Sequence, residues 1–132
     1  MATIRAYTTI EQSKKLAEIL PIESADMRYG YIAPYDFSDR MYDGGYDDIP
    51  YPKDFLKRNP NFSENEYDGE YPCWSCAALL DVVPEEVSLN SFKDGNWNAM
   101  VQQNGKMIYG DTDNPVDACY ELILKLHELK ML

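Results

Sequence analysis

Apolar positions in this chain recur at helical spacing toward both ends and lose regular spacing in the middle, leaving two patterned flanks around a central segment. In the N-terminal flank, Ser13, Leu16, Ala17 and Leu20 share one helical face, Ile19 widens it and Pro21 stops it. Either Thr8 or Thr9 can cap this helix, with Glu11 or Gln12 three residues on to complete a capping box. From Ile22 to Ala33 two patterns compete. Ala25-Asp26-Met27-Arg28 permits a helical turn, whereas Tyr29-Gly30-Tyr31-Ile32 reads as a strand, and a short extended piece is expected.

Order returns at Pro72. Trp74, Ala77, Ala78, Leu79 and Leu80 predict a short helix with Pro72 in its first turn and Pro84 ending it near Val83. Val87 to Phe92, Trp97 to Val101 and Lys106 to Tyr109 then read as three strands. They are joined by turns at Lys93-Asp94-Gly95-Asn96 and Asn104-Gly105, whose Asp-Gly and Asn-Gly pairs suit tight hairpins. Asp113 or Asn114 caps the last helix and Pro115 occupies its first turn. Cys119, Leu122, Ile123, Leu126 and Leu129 form one apolar stripe, and Tyr120, Leu124, His127 and Met131 form a second beside it. Asp117, Glu121, Lys125 and Glu128 are expected to face water, with Glu121 and Lys125 at a supporting spacing. One sheet face does not cover so wide an arc. The helix therefore lies in a groove or offers Tyr120, Leu124, His127 and Met131 as a seam to a second copy of the chain.

Between the flanks, Pro34, Gly44-Gly45, Pro50, Pro52, Pro60 and Gly69 interrupt any period. Asp36 through Glu70 holds ten carboxylates against Arg40, Lys53, Lys57 and Arg58, so minus six of the chain's net charge of minus eleven. Eight of the eleven tyrosines fall between Tyr29 and Tyr71, more rings than a disordered segment usually carries. A long insertion spanning about residues 34–70 is expected, lying partly against the body through its rings, with a helical turn open at Lys53 to Arg58.

With 132 residues and 45% hydrophobic content, a single domain over 1–132 is expected. Met1 to Tyr7 lacks a basic start and apolar core, and no run approaches a membrane span, so a cytoplasmic protein without membrane contact is expected. The negative charge opposes direct nucleic-acid binding, since Lys14-Lys15 sits on a helix and Lys57-Arg58 lies among acids. It suits a basic protein partner. Tyrosine supplies rigid contact area with a polar end, so Tyr35, Asp36, Asp39, Tyr42, Asp43, Tyr46, Asp47, Asp48 and Tyr51 are the candidate partner-binding residues. The alternative is an insertion packed on its own domain with its acids in solvent.

Reactive groups are sparse. Cys73-Trp74-Ser75-Cys76 opens a helix, where a thiol can be acidified, but Asp68 and Glu70 precede it in place of a strand or a positive pocket. Both cysteines are expected to pack as small apolar residues. Cys119 and His127 lie eight residues apart on one helix, about 12 Å along its axis, so they cannot share a zinc ion and no metal centre is expected. Asp43-Gly44-Gly45-Tyr46-Asp47-Asp48 lacks the ligand spacing of a calcium loop, no glycine-rich phosphate loop is present, and His127 has no motif partner for catalysis.

Pro72 to Pro84, Glu11 to Leu16, Glu23 to Met27 and Asn114 to Cys119 resemble segments of small uncharacterised proteins encoded by phages and mobile elements of Bacteroidales. The C-terminal part, with Trp97 on a strand and a helix over Pro115 to Leu126, is also similar to the phage ABA-sandwich domain, a sheet layered between helices. That likeness implies a fold and an origin, covers the flanks alone, and carries over no catalytic residue or cofactor.

The sequence therefore reads as an α+β domain, a three-stranded antiparallel meander packed with helices and interrupted by an acidic, tyrosine-rich insertion. The expected role is a non-enzymatic accessory protein that binds a protein partner through the insertion. The alternative is a protein that binds and sequesters a small ligand, such as a nucleotide or signal molecule. A thiol enzyme using Cys73 and Cys76 ranks last.

Overall fold

The structure, a computed structural model, describes residues 5–37, 40–53 and 69–132. The first helix, α1 (Ile10–Ala17), is capped by Thr9, whose hydroxyl accepts from the Gln12 amide while the Gln12 side chain accepts from the Thr9 amide. Thr8 is thus free for another role. It is fully buried, shares a 2.8 Å hydrogen bond with the Ser13 hydroxyl, and accepts from the Trp74 amide at 3.1 Å. The Thr8 amide donates to the Trp74 carbonyl and Tyr7 bridges to Ser75, so the chain start is laid against residues 74–76. Ala17, expected on the buried face, is exposed.

After a 3-10 turn at Ile22–Ser24, β1 (Met27–Ile32) resolves the ambiguous stretch as a strand. The expected insertion carries strands that its sequence did not announce: β2 (Tyr35–Phe37), β3 (Arg40–Tyr42), β4 (Gly45–Tyr46), β5 (Tyr51–Pro52) and β6 (Gly69–Cys73). β1 pairs antiparallel with β6 from Met27↔Cys73 to Tyr31↔Gly69, and its other side carries β4 and then β5. Runs this short cannot display a period of two, which is why the sequence showed none. The turn expected at Lys53 to Arg58 lies, beyond Lys53 itself, outside the described residues. Pro72 sits in β6 opposite Arg28, not in a helix. Proline is tolerated there because no strand is paired to the other side of β6 among the described residues.

Helix α2 (Cys76–Val82) therefore begins four residues later than Pro72 suggests, capped by the Ser75 hydroxyl, which accepts from the Ala78 amide. Asp26 holds this cap by accepting from the Ser75 amide and hydroxyl. The meander appears as expected: β7 (Val87–Ser91), β8 (Trp97–Gln103) and β9 (Lys106–Thr112), with Val87↔Val101↔Ile108 and Leu89↔Ala99↔Gly110 in register. Helix α3 (Pro115–Glu128) is capped by Asn114, whose side-chain Oδ1 accepts from the Val116 and Asp117 amides, a device that stabilises by about 1 kcal/mol.

The core forms where α3 crosses the inner face of the meander. Leu122, Ile123 and Leu126 are fully buried with Ala99 and Val101, and Leu16, Trp74 and Leu79 close the other side. Asp117 does not simply face water: it pairs with the Arg5 guanidinium and accepts from Gln12 Nε2 at 2.7 Å, tying α3 to the chain start. Leu129, expected in the apolar stripe, is 58% exposed. The helix ends at Glu128, Lys130 adopts φ of 60°, and the Met131 amide returns to the Leu126 carbonyl, so Met131 and Leu132 pack inward in its place.

The outer face of the meander carries Ser88, Asn90, Gln102, Met107, Tyr109 and Asp111, all exposed. Lys125, expected to pair along its helix with Glu121, instead reaches β9. Its ammonium donates to the Tyr109 carbonyl at 2.6 Å and lies 5.0 Å from the Tyr109 ring centre.

Candidate functional site

The acidic segment begins at a narrow neck. A Cβ placed on Gly44 would lie 2.8 Å from Pro34 Cδ and 2.9 Å from Pro34 N, and Gly44 has φ of 85°, so glycine alone fits there. Between these two residues, β2 and β3 form a hairpin with register Tyr35↔Tyr42, Asp36↔Met41 and Phe37↔Arg40. The pleat places Asp36 and Met41 on one face, and both are exposed.

Beyond the neck the chain returns to the body. Tyr46 is half-buried, its ring 5.1 Å from Tyr31 and 5.9 Å from Tyr71 between ring centres, with the Lys14 ammonium 5.8 Å above it. The Asp47 amide donates to Gly30 at 2.9 Å, and Pro50 is buried. Tyr51 donates its hydroxyl to Glu70 at 2.8 Å, and Glu70 lies 3.8 Å from Arg28.

The structure thus divides the candidate residues. Tyr46 and Tyr51 are engaged with their own domain, Asp47 is half-buried, and Asp36, Asp43 and Asp48 are exposed. Tyr35 and Tyr42 are register partners in the backbone at the hairpin base, and Asp39 lies outside the described residues. Two residues the sequence did not single out join the exposed acids: Met41 at 75% and Ile49 at 71% exposure exceed the other exposed large apolar side chains among the described residues. Their only signal was an aliphatic side chain within a segment rich in acids and tyrosines.

Of the residues expected as a seam, Tyr120 and Met131 pack against the chain's own core, Leu124 is half-buried and His127 is exposed. Near the end of α3, Met107, Ile108, Tyr109, Lys125, Glu128 and Leu129 line an open depression of about 350 Å³.

The two cysteines of the Cys-x-x-Cys run point to different neighbours. Cys73 is on β6, fully buried, with its sulfur 3.5 Å from the Thr8 carbonyl and 3.6 Å from the Thr8 hydroxyl. Burial pushes its thiol above the ordinary range. Tyr29 donates to the same carbonyl at 2.6 Å, and burial likewise raises its hydroxyl. Cys76, in the first turn of α2, has its sulfur 4.0 Å from that of Cys119 on α3.

The raised groups set an alkaline limit. Cys73 and Tyr29 keep their protons in the native state at a pH where the unfolded chain, with ordinary values of 9.0 and 10.0, loses them. Stability is fully present below those values and falls as pH rises beyond them, because the native state then binds more protons than the unfolded one. The melting temperature is expected to decline from about pH 9 upward, and Tyr29→Phe to flatten that decline, in thermal melts across a pH series.

Among the described residues, no helix is long and apolar enough to cross a membrane, and no three His, Cys, Asp or Glu side chains converge on a metal-sized space. No family model, curated protein or solved structure matches the chain.

Proposed function

We propose that this chain is a non-enzymatic, cytoplasmic accessory protein of a phage or mobile element that binds a basic surface of another protein. Its contact surface is the acidic segment, in which exposed Asp36, Asp43 and Asp48 accompany the outstandingly exposed Met41 and Ile49. That coincidence is the observation that carries the reading. Apolar side chains held in water at a hairpin and loop, among carboxylates, suit an interface with an apolar centre and a charged rim. The tyrosines that the sequence offered as contacts have a supporting part: Tyr46 and Tyr51 fasten the segment to the sheet. The origin rests on the resemblance of both flanks to phage and mobile-element proteins, and three free cysteines accord with a reducing compartment.

The test is capture of partners from a Bacteroidales host lysate by the intact chain and by a variant carrying Asp36→Asn, Asp43→Asn, Asp48→Asn, Met41→Ser and Ile49→Ser. The intact chain is expected to retain a basic protein that elutes as salt rises, and the variant to bind it at least about tenfold more weakly. Equal retention by both would overturn the proposed surface. A thermal stabilisation by a nucleotide, with no protein retained, would favour the small-ligand alternative.

A further inference from the structure

We propose that Cys76 and Cys119 are a dithiol that hydrogen peroxide converts to an intramolecular disulfide, a reversible modification site joining α2 to α3. The inference is independent of the binding role above. It rests on a juxtaposition that local spacing conceals: the sulfurs are 4.0 Å apart although the residues are 43 positions apart in sequence. A disulfide bond is about 2.05 Å long, so the sulfurs need to approach by about 2 Å, a movement available to side-chain rotation.

The surroundings give the two thiols different tasks. Cys76 is half-buried in the first turn of α2 and is the one an oxidant can reach. Cys119 is 2% exposed, shielded from solvent but held against Cys76. The hydrogen bond the two sulfurs share holds the Cys76 thiol below its ordinary value and, with burial, the Cys119 thiol above it. The nearer cysteine in sequence does not compete, because Cys73 is fully buried on β6 with its sulfur against Thr8.

The reaction balances as follows. The Cys76 thiolate attacks one oxygen of hydrogen peroxide and breaks the O–O bond; the departing hydroxide takes up a proton as water, and Cys76 becomes a sulfenic acid. The Cys119 sulfur then attacks the Cys76 sulfur, forming the S–S bond and displacing hydroxide, which leaves as a second water with the proton of Cys119. Two thiols and one peroxide become one disulfide and two waters. The loop it closes contains β7, β8 and β9 entire, and small thiols reopen it by exchange.

The experiment treats the folded full-length chain with hydrogen peroxide, alkylates the remaining thiols and maps the digest by mass spectrometry. The expected product has lost two hydrogens, yields one linked peptide pair joining Cys76 to Cys119, keeps Cys73 alkylatable only after unfolding, and is restored by dithiothreitol. In Cys119→Ser, a sulfenic-acid trap is expected to label Cys76. The mapping on the unaltered chain needs no variant to fold. A Cys73–Cys76 link, a link only between two chains, or thiols that stay reduced where a free cysteine peptide oxidises would each overturn the proposal.

Discussion

Replacing Trp74 by alanine is expected to cost about 4 kcal/mol, a large share of the roughly 5–15 kcal/mol that holds a domain folded. Trp74 is the largest of the fully buried side chains and stands where the chain start, α1, α2 and the 3-10 turn converge. Its indole N–H donates to the Ser24 hydroxyl at 2.9 Å. Truncation does not orphan Ser24, whose hydroxyl keeps its own bond to the Pro21 carbonyl at 2.6 Å. The loss is therefore mostly apolar volume and the cavity left behind, since the backbone bonds between Thr8 and Trp74 survive in the variant. Urea unfolding followed by circular dichroism checks this. A loss below about 1 kcal/mol would mean that Trp74 is not at the centre of the core.

Gly110→Ala is expected to be nearly as damaging, about 3 kcal/mol or more, from the addition of a single carbon. A Cβ at Gly110 would sit 2.2 Å from the Ala118 carbonyl oxygen, 2.9 Å from Glu121 Cβ and 2.9 Å from the Leu122 nitrogen. Two of those atoms belong to the backbone of α3, so no side chain can swing aside. The helix must lift off the sheet by about 1 Å, loosening Leu122, Ile123 and Leu126 against Ala99 and Val101, and close-packed interiors resist such a gap. Gly105→Ala separates this from backbone strain. Gly105 has φ of 78° and open space around it, so its replacement is expected to cost only about 1 kcal/mol. Thermal melts of both variants settle the ranking, and equal losses would show that α3 can shift freely.

These two positions also show what could be read from the chain in advance. The terminal helix, its asparagine cap and the meander were legible because long periods and Asp-Gly or Asn-Gly turns are local signals. Gly110 was not, since its importance lies in the passage of α3 overhead. Thr8 looked like one of two equivalent caps; with Thr9 taking the cap, its hydroxyl and carbonyl are left to organise Ser13, Tyr29, Cys73 and Trp74.

The cysteines pack as small apolar residues, as expected, but not beside each other. Spacing along the chain drew Cys73 and Cys76 together, whereas the strand-to-helix passage at Trp74 turns them apart and the topology supplies Cys119. In the acidic segment, some rings lie against the body as expected, but composition did not say which residues stay outside. The rings of Tyr46 and Tyr51 are drawn onto the sheet by stacking and a hydrogen bond, while Met41 and Ile49 remain outside. Which residues of a short, irregular stretch face water depends on where its strands attach, and a two-residue strand leaves no trace of that in a sequence.

The reach of Lys125 across to β9 has a consequence for how molecules of this protein meet. β9 has no strand on its far side among the described residues, and such a border invites sheets of adjacent molecules to zip together and grow. Here a cation already occupies a carbonyl near the middle of that border. An incoming strand would have to evict it, losing a charged hydrogen bond and its ring contact before gaining any of its own. One lysine thus discourages runaway polymerisation at high concentration.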